Sequence, residues 1–142
     1  MSGFLLDTNC VSEAVRIRPN ARVANWIDST DERLLYLSVL TLGEIRKGIA
    51  ALPQSNRRAA LEAWLEADLR PRFAGRILPV QKAVADRWGQ LDAAAQQKGR
   101  PLAIVDGLLA ATALHHNLTL VTRNTADFKH AQVLVFNPWT ES

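Results

Sequence analysis

The sequence of 142 residues has a single cysteine and no long apolar segment. Cys10 cannot close an internal disulfide, and without a CxxC pair nothing in the sequence supports a zinc site. Residues 101–114 form the least polar segment, but Asp106 interrupts it, and it is shorter than the roughly 18–20 apolar residues of a membrane span. The first residues also lack the basic and apolar regions of a signal peptide. We therefore expect a cytoplasmic protein with no membrane segment.

The charge balance is mildly positive, with a formal net charge of +3, and 13 of the 17 basic residues are arginine. Arginine favours planar, bidentate contacts with phosphate, so this composition permits a nucleic-acid partner. An ordinary solvated surface explains the same composition, and charge alone does not identify a partner. The length fits one domain with its own hydrophobic core, and we expect residues 1–142 to form a single domain.

Short apolar segments alternate with longer amphipathic ones along the chain. The former predict strands at 4–7, 34–38, 76–80, 118–122 and 132–136. The latter predict helices, the first capped by Asn9 and the others at about 19–27, 40–52, 56–69, 81–98 and 101–115, with Pro101 in the first turn of the last. Strands separated by helices are typical of right-handed crossovers. We therefore predict an α/β fold whose mostly parallel sheet is covered on both faces.

Asp7 directly follows the first predicted strand. Open parallel sheets bind ligands beyond the carboxyl ends of their strands, which makes Asp7 a candidate site residue. Aspartate is also common in turns and helix caps, and taken alone Asp7 is better explained in that way.

Asp106 interrupts a helix that is otherwise apolar on nearly all sides, and such a helix should be buried. A carboxylate there is costly unless a basic group, a proton or a metal ion compensates its charge. A structural ion pair is the simplest alternative to a functional role. It is disfavoured because the positions one turn away are all apolar: Leu102, Ala103, Leu109 and Ala110.

Glu44 lies on the helix after the second strand, at the border of the face marked by Ile45 and Ile49. Glutamate is also an excellent exposed helix former, so Glu44 alone indicates little. The combination is more informative, because the predicted topology can bring Asp7, Glu44 and Asp106 to one edge of the sheet. Clustered carboxylates need a cation, and all-oxygen ligands favour Mg²⁺ or Mn²⁺. Such a metal supports phosphodiester hydrolysis.

The loop after the fourth strand should reach the same edge. Asn124 offers an amide oxygen and Asp127 a carboxylate, while Thr122 could orient a water. Arg123 and Lys129 could contact phosphate. Turn formation explains the same residue types.

At these residues the chain resembles the PIN-domain ribonucleases, and most of all the VapC/FitB-type toxins of type II toxin–antitoxin pairs. Each matching segment is weak alone, but together and in order they are specific. They are Leu5-Leu6-Asp7-Thr8-Asn9, the segment from Ser38 through Glu44 to Gly48, Ala103-Ile104-Val105-Asp106-Gly107 and its continuation to Ala113, and Leu120-Val121-Thr122-Arg123-Asn124. The ending Val135-Phe136-Asn137-Pro138-Trp139 resembles the FitB-type branch.

The resemblance implies a three-layer α/β/α sandwich around a parallel sheet of about five strands. It implies a hydrolase that cleaves RNA with Mg²⁺ or Mn²⁺, forms a homodimer and is blocked by a cognate antitoxin. Asp7, Glu44 and Asp106 would be the catalytic and metal-binding acids, with Thr8 and Asn9 supporting them. The chain departs from many relatives at Asn124, where they carry a fourth acid. Asp127 could replace that acid, and whether one metal or two bind stays open.

Two other functions are weighed against this one. A phosphotransfer protein of the haloacid-dehalogenase type needs a second aspartate at the position of Asn9, and a response-regulator receiver needs an acidic pair near its first strand. Neither pattern is present. A non-catalytic module that binds RNA or protein stays open because of Asn124. Apolar helix surface near Trp26, Leu61 or Trp64 is the predicted homodimer contact, with an antitoxin segment crossing the acidic groove.

Overall fold

Five strands form one sheet in the computed structural model, which describes residues 2–141. The strands are β1 (Phe4–Leu6), β2 (Leu35–Ser38), β3 (Ile77–Leu78), β4 (Thr119–Val121) and β5 (Val135–Phe136). Their order in the sheet is β3-β2-β1-β4-β5, and every neighbouring pair is parallel. The predicted α/β class with a parallel sheet of about five strands is therefore confirmed.

Seven helices connect the strands within the described residues. They are α1 (Thr8–Glu13), α2 (Ala21–Ser29), α3 (Val39–Ala50), α4 (Asn56–Ala63), α5 (Arg70–Arg72), α6 (Lys82–Gln97) and α7 (Ile104–His115). A π-helical turn over Trp64–Leu69 joins α4 to α5, and 3-10 turns cover Glu32–Leu34 and Thr125–Phe128. None of these helices is long and apolar enough to cross a bilayer.

The sheet has an apolar core on each face, because consecutive strand residues point to opposite sides. Leu6 packs on one face with Leu37 and with residues of α1 to α4 such as Ile45. Leu5 packs on the other face with α7 residues such as Leu109. Both faces are thus covered, as expected of a three-layer sandwich.

Three local predictions are wrong. Asp7, not Asn9, caps α1, because its carboxylate already accepts the backbone N–H of Thr8 at the end of β1. The last long helix begins at Ile104 rather than near Pro101, since the residues before it are not helical and Leu102 packs on the second core. The last strand begins at Val135, because Gln132 has a φ of 60°, which is incompatible with extended backbone.

The carboxyl ends of the central strands meet at one edge of the sheet. Asp7 follows β1 there, Thr122 follows β4, and α3 with Glu44 follows β2. The first turn of α7 brings Asp106 close enough to Asp7, Asp127 and Glu44 for their charges to act on it. The topology therefore gathers the acidic residues that the sequence singled out.

Candidate active site

Asp7 is held rigidly at the end of β1, where its side chain is only 7% exposed. The backbone N–H of Thr8 donates to Oδ1 at 2.7 Å. The hydroxyl of Thr122 donates to Oδ2 at 2.8 Å, and the amide of Asn9 donates to the same oxygen at 3.5 Å. Three donors thus fix both carboxylate oxygens, which favours the ionised form and defines where it points.

The residues that hold Asp7 also hold one another. The amide of Asn9 donates to Thr122 Oγ1 at 3.3 Å, and the backbone N–H of Asn124 donates to the same hydroxyl oxygen at 3.1 Å. The backbone N–H of Arg123 donates to Asn9 Oδ1 at 3.3 Å. This network joins α1 to the loop after β4. Asn9 and Thr122 therefore hold each other as well as Asp7.

Glu44 is exposed on α3, and its carboxylate is tied to α1. The hydroxyl of Thr8 donates to Glu44 Oε1 at 2.5 Å. Thr8 therefore contacts two acids: it binds Glu44 through its side chain and Asp7 through its backbone. Thr8 thereby places the second acid relative to the first.

Asp106 is half-buried in the first turn of α7. Within residues 2–141 it forms no ion pair with a lysine, arginine or histidine, so the structural ion pair considered above is not supported. Burial, followed by the charges of Asp7, Asp127 and Glu44, raises the pKa of Asp106 to about 6. No positively charged side chain of the described residues therefore compensates the charge of this carboxylate through an ion pair.

The pKa of Asp7 is also raised, mainly by burial. The hydrogen bonds from Thr122 and Thr8 act in the opposite direction, while the charges of Glu44 and Asp127 raise it further. The acids therefore repel one another across the edge of the sheet. A cation placed among them would relieve that repulsion.

The donor set fits a hard divalent cation in its chemistry, since the charged groups that act on Asp7 and Asp106 are carboxylates, which offer oxygen ligands. Across residues 2–141, however, no three Asp, Glu, His or Cys side chains are arranged closely enough to enclose a metal ion. Asp7 is fixed by its donors, whereas Asp106 has no hydrogen-bond donor of its own in that part of the chain. The side chain of Asp106 is thus less constrained than that of Asp7.

The loop after β4 separates the roles of Asn124 and Asp127. Asn124 precedes the 3-10 turn and contributes its backbone N–H to Thr122, and its side chain caps nothing. Asp127 lines a groove of about 430 Å³ together with Asp106. The fourth carboxylate near the site is therefore that of Asp127.

The same groove is lined by Arg100 and His130, which the sequence analysis did not single out. Arg100 lies on the connection between α6 and α7, and His130 lies just after the 3-10 turn over Thr125–Phe128. The available sequence signal was weak: a basic residue flanks each of the segments that carry Asp106 and Asp127.

Comparisons with known proteins bear on the family and the fold. The family model described as PIN domain matches residues 4–134. Toxin FitB of Neisseria gonorrhoeae is 45% identical over 136 residues, covering 96% of this chain and 98% of that protein. VapC ribonuclease Y4jK of Sinorhizobium fredii is 38% identical over 136 residues, covering 96% and 97%.

A solved structure of FitAB bound to a DNA fragment superposes with a TM-score of 0.93 and 42% identity, covering 98% of this chain and 97% of the other. Sequence and structural similarity therefore extend over nearly the whole chain. Together with the family model, they show that this chain belongs to the PIN-domain family.

Proposed function

We propose that this chain is a metal-dependent ribonuclease that hydrolyses RNA phosphodiester bonds. The observation that carries the proposal is the environment of Asp7, a buried carboxylate fixed by Thr8 and Thr122 and repelled by neighbouring acids. A relative named as a VapC ribonuclease, 38% identical to this chain, supports the choice of RNA.

Asp7 and Asp106 would hold Mg²⁺ or Mn²⁺, with Glu44 binding directly or through water. The ion would supply an activated water and stabilise charge on a phosphoryl oxygen. Thr122 and Thr8 orient the Asp7 carboxylate, and their hydrogen bonds oppose the rise of its pKa that burial causes. Thr8 also keeps Glu44 beside it.

The non-catalytic alternative rested on Asn124, which brings no charge. Asp127 weakens that alternative, because its carboxylate lines the groove beside Asp106. We therefore favour Asp127 over Asn124 as the fourth acid. The number of metal ions bound per chain distinguishes a one-metal site from a two-metal site.

We further propose that the chain acts as the toxin of a type II toxin–antitoxin pair, with a cognate antitoxin and a homodimer. The relative named as a toxin, 45% identical over 136 residues, supports the toxin role. Leu61 and Trp64 line a groove of about 410 Å³ that also includes Glu44, which suits an antitoxin segment reaching the acids. Trp26 instead packs edge-on against Phe4 at 5.1 Å between ring centroids.

The deciding experiment is cleavage of labelled RNA by the purified protein with Mg²⁺, with Mn²⁺ and with EDTA. We expect metal-dependent cleavage that Asp7→Asn and Asp106→Asn each reduce by more than about 100-fold, beyond the usual effect of losing an outer-shell partner. Asparagine is as good a helix cap as aspartate, so Asp7→Asn keeps α1 intact. A folded Asp106→Asn protein that cleaves at the wild-type rate would contradict the metal role.

Partner proposals have separate tests. Co-purification with the product of the adjacent reading frame tests the antitoxin. Light scattering at micromolar concentration tests the homodimer, and a strictly monomeric protein would exclude it.

A further inference from the structure

The groove beside Asp106 joins opposite charges. Asp106 and Asp127 line it together with Arg100 and His130, and the non-helical residues 101–103 complete its wall. Its volume of about 430 Å³ is large enough for part of a nucleotide. A groove that runs from acidic to basic side chains suits a substrate that carries negative charge next to the reacting group as well as on it.

The two basic side chains of the groove, Arg100 and His130, are in contact with each other and form a cluster. The guanidinium of Arg100 contacts Nε2 of His130. Desolvation and the charges of Arg100, Lys129 and Lys98 all lower the pKa of His130. Because arginine can only donate, Nε2 accepts, and the neutral ring carries its proton on Nδ1 as a donor for a ligand.

This cluster is not neutralised by the protein's own acids. In the part of the chain that the structure describes, Lys98, Arg100 and Lys129 form no ion pair with a carboxylate. Other arginines near the site are engaged: Arg46 pairs with Glu66, and Arg123 stacks over the ring of Trp139. Within the groove itself, the positive charge available to an anion near Asp106 is therefore that of Arg100, and the neutral ring of His130 adds a hydrogen-bond donor.

We infer that Arg100 and His130 bind a backbone phosphate of the RNA next to the one that is cleaved. This inference rests on the proposed ribonuclease function and assigns the path of its substrate. The acids repel a polyanion, and a basic cluster along the same groove offsets that repulsion. The planar guanidinium suits phosphate, and contacts of this kind position the strand without reading its sequence.

The test compares Arg100→Gln and His130→Gln with the matched control Arg33→Gln. Arg33 is an exposed arginine that precedes β2 and so lies at the opposite edge of the sheet. Each change is made in the active protein for cleavage kinetics. Each is also combined with Asp7→Asn, so that equilibrium binding of a labelled single-stranded RNA can be measured over a range of salt concentrations without cleavage.

We expect Arg100→Gln to raise KM and the RNA dissociation constant by about two- to fivefold, as for an exposed charged contact, with a smaller change in kcat. The slope of log K against log salt should become shallower by about 0.7, the value for one phosphate contact with a single strand. His130→Gln should act in the same direction more weakly. Arg33→Gln should change neither quantity.

Arg100→Gln and His130→Gln variants that bind RNA like Arg33→Gln, with an unchanged salt slope, would overturn the inference while leaving the nuclease proposal intact. Absence of cleavage by the unmodified protein would instead overturn the nuclease proposal. The binding arm would still decide whether the basic cluster holds a phosphate.

Discussion

Asp7 and Asp106 are the two central acids of the candidate site, and their surroundings differ. Asp7 is buried, ends a strand, caps a helix and accepts hydrogen bonds from Thr8, Thr122 and Asn9. Asp106 is half-buried on an uncapped helix, and no ion pair or hydrogen bond holds it within the described residues. One acid is thus preorganised by the fold, whereas no side chain or backbone donor of the described residues orients the other.

We expect the largest effect when a hydrogen-bond donor of Asp7 is removed. Thr122→Val keeps the size of a side chain that is fully buried but deletes the 2.8 Å hydrogen bond to Oδ2. We expect cleavage to fall by about 10- to 100-fold, the usual effect of losing a partner that orients a metal ligand. Steady-state cleavage of labelled RNA measures the effect.

Thr119→Val, at the other end of β4, is the control and should leave cleavage unchanged. Equal activity of the two variants would show that Thr122 does not position Asp7. Circular dichroism establishes that both variants are folded.

A second change tests how the backbone places Asp106. Gly107 follows it, and a Cβ added there would lie 2.9 Å from Cδ1 and Nε1 of Trp88, closer than atoms can approach. Gly107→Ala should therefore push α7 away from α6 and lower the free energy of unfolding by about 1–3 kcal/mol, as overpacking does. Urea unfolding measures this change.

Gly89→Ala on α6 is the matched control, because an added Cβ there meets nothing within 4 Å. It should stabilise the protein by up to about 1 kcal/mol through helix propensity. If both alanine variants are stabilised, Trp88 does not restrain the turn that carries Asp106.

The smallest expected effect concerns the charge of Asp106 itself. Its pKa is raised from 3.8 to about 6, so the folded state binds this proton more tightly than the unfolded chain does. Stability from this group is full at low pH and is lost as the pH rises through about 6. Without metal at pH 8, Asp106→Asn should melt above the wild type by about 1–2 °C, since solvent screens the effect.

This difference should shrink towards pH 4. Added Mg²⁺ or Mn²⁺ should raise the melting temperature of the wild type more than that of the variant, because the ion relieves the same repulsion. Thermal melts with EDTA and with each metal provide the measurement. A variant that melts below the wild type in EDTA at pH 8 would contradict the expected repulsion.

Much of the fold could be predicted from the sequence because its strands are short apolar segments with clear breaks. The strands around Leu5, Leu37 and Leu120 lie where predicted, and the parallel sheet and the PIN family are confirmed. The wrong details are at element ends. There, a side-chain hydrogen bond at Asp7 or a positive φ at Gln132 decides the boundary rather than periodicity.

The site was predictable only in part, for a similar reason. Strand ends and one charged residue in an apolar helix identify Asp7 and Asp106, whose role as metal ligands stays a prediction. The choice between Asn124 and Asp127 depends on which side chain faces the groove, and the contact of Arg100 with His130 joins two distant loops. Neither feature has a periodic signal in the sequence.

Cys10, in the first turn of α1, provides a chemical probe for opening of the candidate site. Its side chain is fully buried, and burial together with the charges of Asp7 and Glu13 raises the pKa of the thiol to about 12. The thiolate is the reactive species, so the native thiol should resist alkylation and oxidation. Because the chain has no other cysteine, the rate of thiol labelling reports how often α1 detaches from the sheet and releases Asp7.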